Sequence, residues 1–279
     1  MLSALMPLKH YHPGFLGKAL GSLFGQSNPD WRLLIIGERT DLPAFRNVLA
    51  PQLDDPRVVL IANQGRGLSG AFNTGMRMAT TQFVGILLAD DMWTADAVEV
   101  LHEYIGRHPA TDFFHSSRMI IDDADRPISS VHQSRVSFAS KDFLRGSPVK
   151  HLLCWRTAFA LSFGGMDETL PPVGPDDYDF PWCMADAGAA FLAVPECLYL
   201  YRDHREAFRL TTHLPLEVHK RGIRRILEKH GADAATIEAR LADSEQSYLR
   251  QCLYLSRDDK IAKEGAGYDP RTGWRERYR

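Results

Sequence analysis

The chain has 279 residues, 44% hydrophobic and 24% charged, with a formal net charge of −2. This is the composition of an ordinary folded protein, and the near-neutral charge excludes the basic field that recruits nucleic acid or acidic lipid. The four cysteines, Cys154, Cys183, Cys197 and Cys252, form no C-x-x-C pair, so neither a zinc knuckle nor a dithiol redox centre is expected, only reduced thiols. The opening MLSALMPLKHYHP has no basic region ahead of its apolar run, and no stretch reaches the roughly 18–20 apolar residues that span a bilayer. A cytoplasmic protein is the expectation.

Residues 3–8 are a short apolar run that reads as a buried strand, closed by Pro7. Residues 15–24 place Phe15, Leu16, Ala19, Leu20 and Leu23 at helical spacing. After the turn Asn28-Pro29-Asp30, residues 31–36 (WRLLII) form a second buried strand stopped by Gly37. A helix over 42–53 leads to a third strand at 57–62 (RVVLIA). A glycine-rich turn then opens a helix through Ala71, Met76 and Ala79, and residues 83–88 (FVGILL) make a fourth strand that delivers Asp90 and Asp91. The next helix covers about 94–108. Strands alternating with helices imply βαβ units and a mostly parallel sheet buried on both faces. In such a sheet ligands sit beyond the carboxyl ends of the strands. The polar residues there are Lys9 to His12, Glu38 with Arg39, Asn63 to Gly67, and Asp90 with Asp91.

Beyond Ala110 the pattern loosens. Strand-like pieces occur at 112–121 and 191–201, with a charged hairpin (DDADRP) and a helix-like segment at 149–163 between them. A loop at 164–179 rich in Gly, Pro and Asp leads into another helix. Two amphipathic helices are expected over 214–256, with Gly231 ending the first, followed by a polar tail at 258–279.

Seven blocks stand in a fixed order: the strand ending at Pro7, the strand ending at Gly37-Glu38, NQGRGLSGAFNTGMRMA, LLADDMW, GGMDE, DDYDFPWCMADAG and YLYRDH. Their order and spacing over 3–212 resemble the family-two glycosyltransferases of the GT-A fold. The resemblance implies a GT-A-like α/β fold, a mostly parallel central sheet flanked by helices, with a C-terminal helical extension. It implies a sugar moved from a nucleotide-diphosphate donor to an acceptor hydroxyl with inversion. Donor contacts would come from Pro7, Leu8, Glu38, Asn63, Gly67, Asn73 and Asp90. Glu38 is what remains of an acidic pair that reads the base, Gly37 holding the other place. Gly65, Gly67 and Gly70 would bring backbone close to the diphosphate at a helix N-terminus, and Phe72 stands where the family has Arg. LLADDMW resembles L-D-x-D-D-x-W, with Leu88 in place of the first Asp. Asp90 and Asp91, with His204 of the YRDH block, would hold Mn²⁺ or Mg²⁺, a hard cation that suits carboxylate oxygens and offsets charge on the departing nucleotide. Asp177, with Asp176 beside it, matches the family's general base, and the adjacent carboxylate would raise its basicity. His10 and His12 form an H-x-H best read as surface histidines.

Three other readings remain open. Gly65-Arg66-Gly67-Leu68-Ser69-Gly70 is also a G-x-G-x-x-G that follows a strand, with Asp90 some way on, as an NAD(P)-binding oxidoreductase would have. The departures at Gly37, Phe72 and Leu88 would also fit a degenerate, non-catalytic sugar-nucleotide-binding protein. A nucleotidyltransferase would want more basic residues than Lys9 after the first strand. The expected organisation is a catalytic domain at 1–213, its nucleotide half at 1–93 and its acceptor half at 94–213, then helices and tail at 214–279. The partners are a nucleotide-sugar donor and an acceptor of unknown class, saccharide, lipid-linked glycan or small molecule. No nucleic acid is expected, and the amphipathic C-terminal helices offer a surface for a homodimer.

Overall fold

The first four strands are β1 (Leu2–Leu8), β2 (Trp31–Gly37), β3 (Val58–Ala62) and β4 (Phe83–Ile86). The structure, a computed structural model, describes residues 1–204 and 213–253; the tail and the segment 205–212 lie outside them. All four strands run parallel, in spatial order β3-β2-β1-β4. Their side chains alternate between two cores. Ala4, Met6, Leu8, Leu33 and Ile35 face one, under α1 (Pro13–Phe24) and α5 (Ala97–Arg107). Leu5, Leu34, Ile36, Val84 and Ile86 face the other, under α4 (Gly67–Met78). A strand buried on both faces can carry apolar residues at every position, which is why these runs are continuous.

The helix expected over 42–53 divides into α2 (Leu42–Val48) and α3 (Ala50–Leu53). Pro51 has no N–H to continue the first helix and restarts the chain as a new one. The segment 149–163 departs further from expectation. It holds β7 (Leu153–Arg156) and then a short helix, α6 (Thr157–Ser162). Strand β7 runs antiparallel to both β4 and β6 (Phe113–Ile121). A four-residue apolar run does not reveal its period. Here Cys154 enters one core while Leu153 and Trp155 enter the other, the alternation of a strand. The sheet is therefore mixed, with eight strands in the order β3-β2-β1-β4-β7-β6-β8-β5. Strand β8 (Phe191–Arg202) lies between β6 and the two-residue β5 (Met92–Trp93). The charged stretch after β6 is the expected reverse turn: Asp122 accepts N–H bonds from Ala124 and Arg126 at 3.0 and 2.8 Å.

The C-terminal helices α8 (Leu216–Lys229) and α9 (Ala234–Leu253) follow a turn at Gly231, whose φ of +73° suits glycine. Ile226, Leu227, Ile237 and Leu241 pack on Phe143, Tyr178 and Trp182. These apolar residues, part of the faces that suggested a homodimer, are thus buried within the chain. No helix among the described residues is long and apolar enough to cross a membrane. Cys154, Cys183 and Cys197 are free thiols.

Candidate active site

The carboxyl ends of β1, β2 and β3 are level, because Leu8 pairs with Gly37 and Gly37 with Ala62. This brings Glu38 beside Asn63, whose amide donates to the carboxylate at 3.1 Å and to the Gly67 carbonyl at 3.2 Å. Pro7 is partly exposed on the same edge, whereas the Leu8 side chain is in the core. Leu8 can therefore offer a ligand only its backbone. The three departures from the family pattern are filled by packing. A Cβ at Gly37 would lie 2.7 Å from the Phe45 ring, Phe72 is fully buried, and Leu88 packs partly buried against the same core as Phe72. The first two positions therefore have no room for a ligand-facing charge.

The glycine-rich loop differs from expectation. Gly65 and Gly70 pack against each other, so that a Cβ on Gly70 would meet the Gly65 carbonyl carbon at 2.4 Å. The Glu168 carboxylate of GGMDE accepts the Arg66 N–H at 2.7 Å and the Asn73 amide at 2.8 Å. Asn73 also exchanges two bonds with the backbone of Met166, each of 2.8 Å. Asn73 is buried and its amide is fully engaged, so its place is that of an internal pin rather than a nucleotide contact. The start of α4 already carries a carboxylate of the protein where the dinucleotide fingerprint would need a pyrophosphate. Gly67, with φ +62° and open space around its Cα, remains at the surface of the loop.

Asp90 and Asp91 follow β4 and have different surroundings. Asp91 is 1% exposed. Its oxygens accept the Tyr199 hydroxyl and the Arg202 N–H, both at 2.7 Å. Burial, and then the neighbouring Asp90, push its carboxyl up to about 7. A buried carboxylate with both oxygens engaged is not placed to ligate a metal, so Asp91 is corrected to an internal anchor. The Asp90 side chain is 36% exposed, with one oxygen 3.2 Å from His204 Nε2. The buried Arg202 holds this loop from below, its Nε donating to the Asp90 carbonyl and its Nη1 to the Asp122 carbonyl, each at 2.8 Å. Arg202 also pairs with Asp125, and its guanidinium lies 4.8 Å from the centre of the Phe15 ring. Of the expected trio of metal ligands, Asp90 stays half-exposed and His204 lies buried against it. Two protein ligands suffice for Mg²⁺ or Mn²⁺ when substrate phosphate oxygens complete the shell.

Asp176 and Asp177 sit in a π turn at Pro175–Asp179 ahead of α7 (Phe180–Asp186). His151, 3% exposed, approaches Asp176 at 3.8 Å and stacks on the Tyr199 ring at 5.2 Å. Through Tyr199 it adjoins Asp91, so His151 and Tyr199 link the two carboxylate pairs. Asp176 is buried against His151, while Asp177 is partly exposed. Desolvation, and then Asp176, raise the Asp177 carboxyl above its ordinary range. The sequence reading missed His151, Glu168 and Arg202. Glu168 and Arg202 stand inside blocks already singled out, GGMDE and YRDH; His151 carries no signal of its own.

Among the described residues one group of three offers clustered ligand atoms, Asp179, Cys183 and His230, all within 4.8 Å of one another. The Lys229 ammonium already sits 2.9 Å from Asp179. His230 stacks on Trp182 at 4.0 Å and contacts Asp179 at 3.2 Å and Asp186 at 2.7 Å. Burial alone would lower the imidazole, but its bonds to Asp179, Cys183 and Asp186 outweigh burial and raise it to about 9. This is an ion-paired lock between α7 and α8, not a metal centre. The folded value lies above the ordinary 6.5, so the stabilisation is complete below about pH 6.5 and lost as pH rises through about 9. Melting scans should show Tm falling by a few degrees across that window, and His230→Gln should flatten the fall. An identical fall in the variant would assign it to another group.

With this geometry in place, comparison with known proteins gives the class. Residues 3–163 match the model of glycosyl transferase family 2, more than half of the chain, and the chain belongs to that family. It is 30% identical over 118 residues to the succinoglycan biosynthesis protein ExoW of Rhizobium meliloti, covering 41% of this chain and 37% of that protein. It is 27% identical over 101 residues to the UDP-Glc:alpha-D-GlcNAc-diphosphoundecaprenol beta-1,3-glucosyltransferase WfgD of Escherichia coli, covering 36% and 39%. The chain thus spans well under half the length of these curated relatives. Among solved structures, S. aureus TarS in complex with UDP-GlcNAc superposes with a TM-score of 0.62 at 16% identity, over 94% of this chain and 75% of that one. The mannosyltransferase PcManGT of Pyrobaculum calidifontis, in complex with GDP-Man and Mn²⁺, gives 0.57 at 15%, over 99% and 78%. These likenesses establish the GT-A fold.

Proposed function

We propose that this chain is an inverting, divalent-metal-assisted glycosyltransferase that moves a sugar from a nucleoside-diphosphate donor to an acceptor hydroxyl. The observation that carries the reading is the meeting of the two carboxylate pairs about His151 and Tyr199, with the half-exposed Asp90 and the buried His204 on one side and the raised carboxyl of Asp177 on the other. Family membership supports it, as do the nucleotide-sugar complexes of the structural neighbours. Residues 1–93 supply the donor wall, 94–213 the acceptor wall, and 214–279 begin as a buttress behind the π turn. The proposed place of work is the cytoplasm, where nucleotide-activated sugars are made.

Glu38 accepts an imino N–H of the base, with Asn63 orienting it and Pro7, Gly67 and the Leu8 backbone lining the edge. Asp90 and His204 would hold Mn²⁺ or Mg²⁺, which supplies charge neutralisation for the departing diphosphate. Asp177 takes the proton of the acceptor hydroxyl as its oxygen bonds to the anomeric carbon and the bond to the phosphate oxygen breaks. Asp176, held by His151, keeps the pair from ionising together and so preserves the basicity of Asp177.

The test is a thermal-shift series with UDP, GDP and dTDP, each with and without Mn²⁺. One nucleotide should raise Tm, and more so with the metal. Asp90→Ala should remove the metal-dependent part, weakening binding at least tenfold. Unchanged Mn²⁺ dependence in that variant would exclude Asp90 as a ligand. Silence from every nucleotide would favour the non-catalytic reading, which the packed positions 37, 72 and 88 make specific.

A further inference from the structure

One feature of the acceptor wall plays no part in the chemistry above. Arg118 on β6 and Lys150, just ahead of β7, are both half-buried. Neither side chain makes a hydrogen bond or an ion pair with any described residue; the Arg118 guanidinium lies over the Tyr201 ring, at 5.0 Å. They lie close enough that Arg118, after burial, lowers the Lys150 ammonium. His132 is joined to Arg118 by a two-way backbone bridge of 3.1 and 2.8 Å. Burial first, then Arg118 and Lys150, hold its imidazole below the ordinary value. His115, 1% exposed, adjoins Lys150, and neither of its ring nitrogens has a hydrogen-bond partner; the same holds for the buried His151. The Arg118 Nε and His132 Nε2 are likewise buried and unpartnered. The acidic groups that feel this cluster are few. Arg118 acts on Asp177, but no carboxylate among the described residues lies within ion-pair distance of either cation.

Two partly desolvated cations held together with no counter-charge in contact among the described residues are unfavourable alone. A protein that keeps such a pair, with donor nitrogens buried around it, is built for an anion that arrives from outside. An Arg fork beside a Lys point charge, with imidazoles next to them, matches the charge and many acceptor oxygens of a phosphate dianion better than a single carboxylate. The cluster lies on β6 and the β7 approach, beside Asp177, and not on the β1–β3 edge that carries Glu38 and Asn63.

We propose that Arg118, Lys150 and His132 form a phosphate-binding site of the acceptor wall, so that the acceptor sugar or polyol carries a phosphate group near the hydroxyl that is glycosylated. This deepens the transferase reading and rests on it for the word acceptor; the phosphate site stands on the cluster alone. The phosphate-bearing ligand could be the acceptor or the donor diphosphate, and the experiment separates them.

Binding of inorganic phosphate and of glycerol 3-phosphate is measured by calorimetry on the full chain, alone and with saturating nucleoside diphosphate and Mn²⁺. The variants are Arg118→Gln, Lys150→Gln and the pair; Lys150 makes no bond, so its variant should fold. Both phosphates should bind with the nucleotide already present, the single variants should weaken them about tenfold and the pair should abolish them, with nucleotide affinity unchanged. Phosphate binding equal in wild type and double variant, or absent in wild type, would overturn the site. Displacement of phosphate by the nucleotide, with nucleotide affinity lost in the double variant, would assign the cluster to the donor and overturn the acceptor proposal. Phosphate bound through Arg118 and Lys150 in a chain that binds no nucleotide would uphold the site and remove the transferase reading instead.

Discussion

Asp177→Asn should reduce turnover by about 10²–10⁴-fold while leaving nucleotide affinity within twofold of wild type. The substitution preserves the shape of the side chain and removes its capacity to take a proton. Asp177 is the more exposed member of its pair, and its carboxyl is raised by burial and by Asp176. The acid limb of the rate profile should therefore lie above the ordinary carboxylate range, because the base works only when deprotonated and is protonated as pH falls through its raised value. Asp176→Asn should move that limb to lower pH by removing the neighbouring charge. Measuring kcat against pH for both variants decides the assignment. Full turnover in Asp177→Asn, or a limb unmoved in Asp176→Asn, would defeat it.

The second large effect is expected at Arg202. Arg202→Met should destabilise the fold by about 2–4 kcal/mol, since it leaves the carbonyls of Asp90 and Asp122 without their donor. The Arg202 N–H bond to Asp91 belongs to the backbone and survives. The variant should fold, but with the Asp90 loop unpinned, and its Mn²⁺-dependent nucleotide binding should weaken together with its stability. Urea titration reads the first effect as a lower midpoint at unchanged slope. A variant as stable as wild type would show that the buried guanidinium does no more than fill space.

The parallel half of the sheet was legible in the sequence because a strand buried on both faces is apolar throughout, as WRLLII and RVVLIA are. Strand β7 was not, since LCWR is too short to show a period and a helix follows it at once. Among candidate site residues, Glu38 and Asp90 stand at strand ends, as their places in the blocks suggest, Asp177 is partly exposed, and His204 is buried against Asp90. Asp91 and Asn73 match the family pattern equally well and are nevertheless buried. A pattern records which residue stands at a position, whereas the hydrogen bonds it makes depend on residues about a hundred positions away. Tyr199 and Arg202 decide the fate of Asp91, and Glu168 that of Asn73, and no local spacing rule connects them. The glycines at 65 and 70 illustrate the same limit, since a backbone close to another backbone and a backbone close to a ligand require the same residue.

The position of β8 has a consequence for how the molecule is assembled. The partners of Asp91 are 108 and 111 residues further along the chain, and β5 pairs with β8 alone. Strands β1 to β4 are joined by short crossovers and can associate early, since closing a small loop loses little chain entropy. The end of β4 cannot be completed until the chain has reached residue 202. The family match itself stops at residue 163, ahead of the strand that brings Tyr199 and Arg202 to their places. A ribosome-bound or truncated chain ending before that strand would have the β1–β3 edge in outline and the Asp90-Asp91 loop without the partners that hold it.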